Sequence, residues 1–321
     1  MRLSKGSHLM TIRSATLTLI AILLLAACSA PHTTAVVDPT PTPTPTSRGP
    51  YVALGDSYTA ATKVPNQTGT PAGCERSSAN YPALVAQRLK IKAGLVHDVS
   101  CSGAKIADLS VAQDTGNGTA NPAQLSALTS DTALVTVGIG GNDVDFAGIL
   151  SRCVELDAPG TIIDLLRNIT ADETRCRGYY TSEGIDQIQQ KIQDAAPLLA
   201  TALTDIRSRA PRARVYVVGY PALLPDTDGV GCATSLGIAP ADVSFLSKEE
   251  LRLNTMLKLQ ATGAGDTYVD TYTPSLGHDA CSDPATRWIE PLLPAAPAAP
   301  LHPNAVGEQG MAVAVERAVA R

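Results

Sequence analysis

The folded part of the chain opens with Tyr51-Val52-Ala53-Leu54-Gly55-Asp56-Ser57-Tyr58. The first residues of this stretch carry no charge and include β-forming side chains, which predicts a buried strand. Gly55 allows a sharp turn after the strand because it lacks a Cβ atom. Asp56 and Ser57 therefore lie at the carboxyl end of a strand, where open α/β sheets bind their ligands. Ser57 is a nucleophile if a base reaches it; otherwise it is a turn serine that caps the next helix.

Strand patterns and helix patterns alternate along the rest of the chain. Strands are predicted over Tyr51–Leu54, Leu95–Val99, Ala133–Ile139, Val215–Gly219 and Thr267–Val269. Helices are predicted over Tyr81–Leu89, Ile185–Arg209 and Ala305–Ala320, and another is expected to begin at the capping box Ser247-Lys248-Glu249-Glu250. This order predicts an α/β fold with three α/β/α layers and a five-stranded parallel sheet, in one domain over residues 49–321.

The composition argues against a nucleic-acid partner. The chain has 321 residues, 44% of them hydrophobic, and a formal net charge of −5. It contains no basic run that would bind phosphates, and one Trp and two Phe offer few rings for stacking on bases. The length is sufficient for one large domain with a sizeable core.

Residues 1–27 are predicted to be an export signal. Three basic residues precede an uncharged apolar run over 15–27, which is too short for a membrane span. The run ends in Leu25-Ala26-Ala27-Cys28, which resembles the lipobox of bacterial lipoproteins. That resemblance implies a lipid anchor on Cys28 and a position at the outer face of the cell membrane. The alternative is an ordinary signal peptide, cleaved near Ala27 or Ala30, and a freely secreted protein.

Residues 28–48 are predicted to be a linker. They are rich in Ala, Thr and Pro, with Thr-Pro repeated between residues 38 and 46. Alternating prolines favour an extended, semi-rigid spacer, which would lift the domain away from a surface.

Six cysteines follow Cys28, and an even number in an exported chain indicates three disulfides, for which fifteen pairings are possible. A metal site is the alternative, but no Cys-x-x-Cys spacing occurs. We therefore expect a disulfide-bonded domain without a metal.

Three histidines in the body of the chain could serve as a base for Ser57. His97 lies within a predicted strand, His278 lies in a loop near Cys281, and His302 directly precedes the last predicted helix. Residue types alone do not choose between them, because each is equally well explained as a structural histidine.

Four short blocks decide among these candidates. They are Gly55-Asp56-Ser57, Gly103, Gly140-Gly141-Asn142-Asp143 and His302-Pro303-Asn304. In content and order they resemble the four blocks of the SGNH (GDSL) hydrolase family. Three further features resemble the actinobacterial secreted lipases and esterases of that family, and these are Gly219-Tyr220-Pro221, Gly277-His278-Asp279-Ala280-Cys281 and the six-cysteine layout.

The resemblance implies a flavodoxin-like fold and a carboxylic ester hydrolase that needs no cofactor. Ser57 would be the nucleophile and His302 the general base. The oxyanion hole would consist of the backbone N–H groups of Ser57 and Gly103 and the side-chain amide of Asn142. The residue types suit these roles, since Gly103 lets the backbone approach an oxyanion closely and Asn142 donates without acting as a base. The resemblance also implies the disulfides Cys74–Cys101, Cys153–Cys176 and Cys232–Cys281.

One position departs from the family pattern. The family often has Asp three residues before the histidine, where this chain has Ala299. Some relatives use a backbone carbonyl instead, so we expect a Ser-His dyad in which Nδ1 of His302 donates to a carbonyl of residues 296–299. The remaining candidates for a third triad member are Asp270, Asp279, Asp283 and Glu290.

The favoured function is an esterase or lipase acting as a monomer on an ester or lipid substrate. A carbohydrate O-deacetylase and a phospholipase are alternatives that would use the same residues. A lipid-anchored solute-binding protein is an alternative of another class, in which Ser57, Asn142 and His302 would have no catalytic role.

Overall fold

A computed structural model describes residues 49–321 except residue 117, residues 158–173, residues 227–228 and residue 230. The predicted export signal and linker therefore lie outside the described residues. The strands are β1 Tyr51–Gly55, β2 Val96–Asp98, β3 Leu134–Gly138, β4 Arg214–Val218 and β5 Thr267–Val269. The helices are α1 Ser57–Ala60, α2 Tyr81–Arg88, α3 Gly141–Val144, α4 Phe146–Asp157, α5 Arg175–Tyr180, α6 Gln187–Arg209, α7 Cys232–Leu236, α8 Pro240–Gly263, α9 Tyr272–Ser275 and α10 Ala305–Val319.

Among the described residues, five strands form one parallel sheet in the order β2-β1-β3-β4-β5. The two central strands β1 and β3 are fully buried, as their uncharged sequences predict. Each predicted strand is present, with ends that differ by at most one residue from the prediction. The predicted α/β class and parallel sheet are confirmed.

Helices cover both faces of the sheet. Alternate residues of a strand point to opposite faces, and β1 shows this directly. Val52 and Leu54 belong to the core that includes Leu203 of α6 and Leu257 of α8. Tyr51 and Ala53 pack into a second core, which includes Tyr81 and Val85 of α2 and Met311 and Val315 of α10. The three-layer arrangement places the carboxyl ends of the strands at one edge, where Ser57 follows β1.

The predicted start of one helix is wrong. Helix α8 begins at Pro240 rather than at Ser247, and Ser247, Glu249 and Glu250 are buried within it. Pro240 is well suited to the first turn. A helix leaves its first backbone N–H groups without partners, and proline has no backbone N–H group. The Ser247–Glu250 spacing is therefore not a capping box here.

The described residues contain three disulfides, Cys74–Cys101, Cys153–Cys176 and Cys232–Cys281. These are the pairs that the resemblance implied. Within the described ranges, no helix is long and apolar enough to cross a membrane.

Candidate active site

Ser57 lies at the first position of α1, directly beyond the carboxyl end of β1. Gly55 makes this turn possible: its φ is 155°, and a Cβ atom there would lie 2.6 Å from the carbonyl oxygen of Gly138 on the adjacent strand. Asp56 caps the short helix by accepting the N–H of Tyr58 at 3.0 Å. The Ser57 side chain is held in a buried position at the sheet edge.

His302 reaches Ser57. Its Nε2 lies 2.7 Å from Oγ of Ser57, and its Nδ1 lies 2.7 Å from the carbonyl oxygen of Pro300. A carbonyl can only accept, so Nδ1 carries the proton and Nε2 is left to accept the hydroxyl proton of Ser57. This is the geometry of a nucleophile and its base.

The expectation of a backbone carbonyl for His302 is correct in kind, but the predicted segment 296–299 is wrong. The carbonyl of Ala299 already accepts the backbone N–H of His302 at 3.2 Å. Leu301, between them, adopts the left-handed φ of 63°. In this tight turn it is the carbonyl of Pro300 that lies against the imidazole ring.

The surroundings of the His302 imidazole favour its neutral form. Burial lowers its pKa below the usual value, the Pro300 carbonyl raises it in part, and the positive charge of Lys63 lowers it further. A neutral imidazole is the form that can take a proton from Ser57.

The other two candidate histidines, His97 and His278, do not contact Ser57. His97 is exposed on β2, which lies at the edge of the sheet. His278 stacks on Trp288 with ring centres 5.5 Å apart, and its Nδ1 lies 2.7 Å from the carbonyl oxygen of Thr286.

The four candidate carboxylates are engaged elsewhere. Asp270, Asp279 and Asp283 each accept a backbone N–H two or three residues ahead, at 2.8–2.9 Å. Glu290 supports the loop that carries His302. Its Oε2 accepts the N–H groups of Ala295 and Ala296, at 2.8 Å and 3.1 Å.

Glu290 also holds both ends of the His302 turn. Its Oε1 accepts the side-chain amide of Asn304 at 2.8 Å, and its backbone N–H donates to the carbonyl of His302 at 3.0 Å. The Glu290 side chain is fully buried. It acts on the loop backbone rather than on the imidazole.

The candidate oxyanion donors come from three segments. Asn142 lies in the first turn of α3, and its Nδ2 donates to the carbonyl of Ala104 at 2.9 Å, which leaves its second N–H available. Gly103 precedes Ala104, has a φ of 75° and is exposed. Among the described residues, neither the Ser57 N–H nor the Gly103 N–H has a hydrogen-bond acceptor. Within the part of the chain that the structure describes, these three N–H groups are therefore not engaged by other acceptors.

A pocket adjoins these groups. Its polar lining includes Ser57, Asn142 and His302. Its apolar lining residues are Phe146, Ala147, Leu150, Leu223, Leu253 and Leu301, and Tyr58, Tyr220 and Glu250 also line it. Gly103 is not part of this lining and is tied to it through the contact between Ala104 and Asn142.

Residues without a predicted role also shape the site. Tyr220 donates its hydroxyl proton to Oδ2 of Asp56 at 2.5 Å and accepts the N–H of Gly141 at 2.7 Å. Tyr58 donates to the carbonyl of Leu301, beside His302, at 2.6 Å. The only signal for Tyr220 in the sequence is the Gly219-Tyr220-Pro221 motif after the fourth strand, which gives no partner.

Asp56 is a buried carboxyl group that borders this network. Burial raises its pKa to about 7, while the hydrogen bonds from Tyr220 and from the Tyr58 N–H lower it in part. The group therefore titrates near neutral pH.

Comparison with known proteins gives a consistent result. Residues 53–309 match the GDSL-like Lipase/Acylhydrolase family. The chain is 39% identical over 263 residues to "Lipase 2" of Streptomyces coelicolor, covering 82% of this chain and 83% of that protein. It is 32% identical over 264 residues to "Esterase" of Streptomyces scabiei, covering 76% of this chain and 75% of that protein. The solved structure of the extracellular lipase from Streptomyces rimosus has a TM-score of 0.60 and 27% identity, over 84% of this chain and 99% of that one.

Proposed function

The chain belongs to the GDSL-like lipase/acylhydrolase family, and we propose that it hydrolyses carboxylic esters through an acyl-enzyme on Ser57. The observation that carries the proposal is the 2.7 Å contact between Oγ of Ser57 and Nε2 of His302. The bond from Nδ1 of His302 to Pro300 fixes the tautomer in which Nε2 is the base.

In the first half of the reaction, Oγ of Ser57 attacks the ester carbonyl while Nε2 of His302 takes its proton. The carbonyl oxygen becomes an oxyanion, which accepts hydrogen bonds from the N–H groups of Ser57 and Gly103 and from Nδ2 of Asn142. Donors aimed at developing charge are commonly the largest catalytic contribution. The tetrahedral intermediate then collapses, the ester C–O bond breaks, and the alcohol leaves with the proton from His302.

In the second half, a water molecule attacks the acyl-Ser57 ester and gives its proton to His302. The acid is released when the Oγ–acyl bond breaks and His302 returns the proton to Ser57. The carbonyl of Pro300 orients the imidazole throughout but brings no full negative charge to the imidazolium. Ser57 and His302 therefore act as a catalytic dyad, without the carboxylate of a triad.

The apolar part of the pocket lining is the site for the acyl chain. Its six residues present only hydrocarbon groups, which gain free energy when an alkyl chain displaces water from them. This favours fatty-acyl esters over acetylated sugars, whose small acyl group would leave most of that surface uncovered.

A series of p-nitrophenyl esters from acetate to palmitate, with a triglyceride, a phospholipid and an acetylated sugar, tests this choice. We expect kcat/KM to rise from acetate to a medium-length chain. A preference for the acetylated sugar would identify an O-deacetylase, and hydrolysis of the phospholipid at its acyl ester would identify a phospholipase.

Export and membrane attachment complete the proposal. Three disulfides are typical of proteins from oxidising compartments, and one similar protein is described as extracellular. Lipidation of Cys28 would place the enzyme at the membrane surface on its Thr/Pro-rich spacer. The enzyme would meet lipid substrates there as a monomer.

A further inference from the structure

Tyr220 is fixed in place without help from its hydroxyl group. It follows β4, and the side-chain amide of Asn254 binds its backbone twice: Oδ1 accepts the Tyr220 N–H at 2.8 Å and Nδ2 donates to its carbonyl at 3.0 Å. The preceding Gly219 permits this clamp, since a Cβ atom there would lie 2.8 Å from Oδ1 of Asn254. The phenol ring packs edge-on against Tyr58, with ring centres 5.0 Å apart.

The hydroxyl group of Tyr220 connects two segments that are distant in the sequence. It donates to Oδ2 of Asp56 at 2.5 Å and accepts the N–H of Gly141 at 2.7 Å. Asp56 directly precedes Ser57, and Gly141 directly precedes Asn142. The phenol thus couples the segment of the nucleophile to the segment of the oxyanion donor.

The Asn142 segment depends on such external contacts. Helix α3 has four residues, and Gly140 before it has a φ of 117°, so the segment gains little rigidity from its own backbone. Asn142 is held by the carbonyl of Ala104 on one side, and its neighbour Gly141 is held by Tyr220 on the other.

We propose that Tyr220 is a positioning residue that holds the Asn142 donor at the correct distance from Ser57. The proposal rests on the proposed function and adds to it a residue that lines the pocket and acts on the oxyanion donor through Gly141. A shift of about 1 Å in a catalytic group can cost about 10²-fold in rate. The contribution of Tyr220 therefore appears in the transition state and not in substrate binding.

The test combines Tyr220→Phe, Asn142→Ala and the double variant in the full-length protein, with p-nitrophenyl butyrate as substrate. We expect Tyr220→Phe to lower kcat by roughly 10- to 100-fold with KM nearly unchanged. Asn142→Ala should lower kcat by roughly 10²–10³-fold, the loss typical of one oxyanion donor. Because Tyr220 acts through the Asn142 segment, the double variant should be no slower than Asn142→Ala alone.

Tyr216→Phe is the matched control. Tyr216 lies on β4, the strand that precedes Tyr220, but it packs into the core on the opposite face of the sheet, with Tyr81 and Val85. Loss of its hydroxyl group should leave kcat and KM unchanged. The melting temperatures of all variants show whether each one is folded.

Gly141→Ala disturbs the same contact from the other side, because its Cβ would lie 3.0 Å from the Tyr220 hydroxyl oxygen. Gly141→Ala should lower kcat with KM nearly unchanged. If Tyr220→Phe does not fold, the kcat of Gly141→Ala tests the proposal instead, and a wild-type kcat there would overturn it. The proposal is overturned if Tyr220→Phe keeps wild-type kcat, or if its loss multiplies fully with that of Asn142→Ala. Either outcome would leave the role of Ser57 intact, since that depends on the separate loss of activity in Ser57→Ala.

Discussion

At the scale of single residues, the base of this site differs from a complete catalytic triad. His302 donates from Nδ1 to the carbonyl of Pro300, which fixes the tautomer but adds no full charge. Burial and the charge of Lys63 both favour the neutral imidazole. The site therefore keeps a ready base at lower pH than a triad with a carboxylate beside the ring, which would favour the imidazolium.

This difference predicts the pH dependence of hydrolysis. The base must be neutral, and a lowered pKa extends the neutral form to lower pH, so the acid limb of kcat/KM should have its midpoint below about 6.5, the usual histidine value. Lys63→Gln removes a positive charge near the ring, which should raise the pKa and move the midpoint to higher pH.

Lys90→Gln is the control, because Lys90 is also an exposed lysine with a left-handed φ. Asp56 titrates near pH 7, so the measured quantity is the difference in midpoint between variants rather than one absolute midpoint. A midpoint that is unchanged or lower in Lys63→Gln would contradict this account of the His302 environment.

The sequence predicts the principal site residues because each stands in a short motif. It does not predict their supports. Tyr220 and Asp56 are 164 residues apart, and Tyr58 and Leu301 are 243 residues apart. A hydroxyl group that joins two such segments has no local pattern, because its partners are set by the packing of the sheet.

At the scale of elements, the loop between Glu290 and Asn304 brings His302 to the sheet edge. The Glu290 carboxylate accepts the N–H groups of Ala295 and Ala296 and the amide of Asn304. This loop is rich in proline and alanine and supplies few side chains of its own for packing. The buried carboxylate adds polar contacts to the packing of Leu301 and Ala298, which belong to the hydrophobic clusters.

Changing each candidate carboxylate singly to an amide shows whether it stabilises the fold or takes part in catalysis. Asp270→Asn, Asp279→Asn and Asp283→Asn should keep most of kcat, since each carboxylate binds its own turn. Glu290→Gln should lower the free energy of unfolding by roughly 1–3 kcal/mol, because hydrogen bonds to a charged acceptor are lost.

The loss of kcat in Glu290→Gln should be far smaller than the roughly 10⁴-fold loss seen when a triad carboxylate becomes an amide. Kinetics and thermal unfolding of the four variants give both quantities. A loss near 10⁴-fold in any one variant that remains folded would reveal a third triad member and refute the dyad.

The strands were predictable to within one residue because the central strands of the sheet are buried on both faces and their uncharged sequences show this. The start of helix α8 was not predictable, because the buried face of this helix includes Asp242, Glu249 and Glu250. Asp242 accepts the N–H groups of Cys176 and Arg177, and Glu250 accepts that of Leu223. Acidic residues that accept hydrogen bonds from other segments therefore give the interior of a helix the charge pattern of a helix start.

At the scale of the whole molecule, one disulfide-bonded α/β domain places its catalytic edge beyond the carboxyl ends of the strands. The α/β class and the parallel sheet follow from the alternation of strands and helices, whereas a flavodoxin-like arrangement was only implied by the family resemblance. The pairing of the cysteines does not follow from their number, and only the resemblance to a family supplied it.

The position of the enzyme in the cell is tested at Cys28. Cys28→Ala removes the thiol that would carry the lipid, so the variant should move from the membrane fraction to the soluble fraction when the chain is produced in a bacterium. Immunoblotting of the two fractions measures this, with Cys28-containing protein as the reference. A variant that remains bound to the membrane would contradict the lipid anchor.

The central claim is that Ser57 forms the acyl-enzyme, and labelling with a serine-reactive phosphonate tests it most directly. We predict one adduct per chain, located by mass spectrometry on the peptide that contains Ser57, with loss of ester hydrolysis in proportion to labelling. Ser57→Ala should be neither labelled nor active while it keeps the melting temperature of the wild type. Hydrolysis by a folded Ser57→Ala variant would contradict the account, because another residue would then be the nucleophile. A wild-type protein that takes no label and turns over no ester would also contradict it and would favour a solute-binding protein.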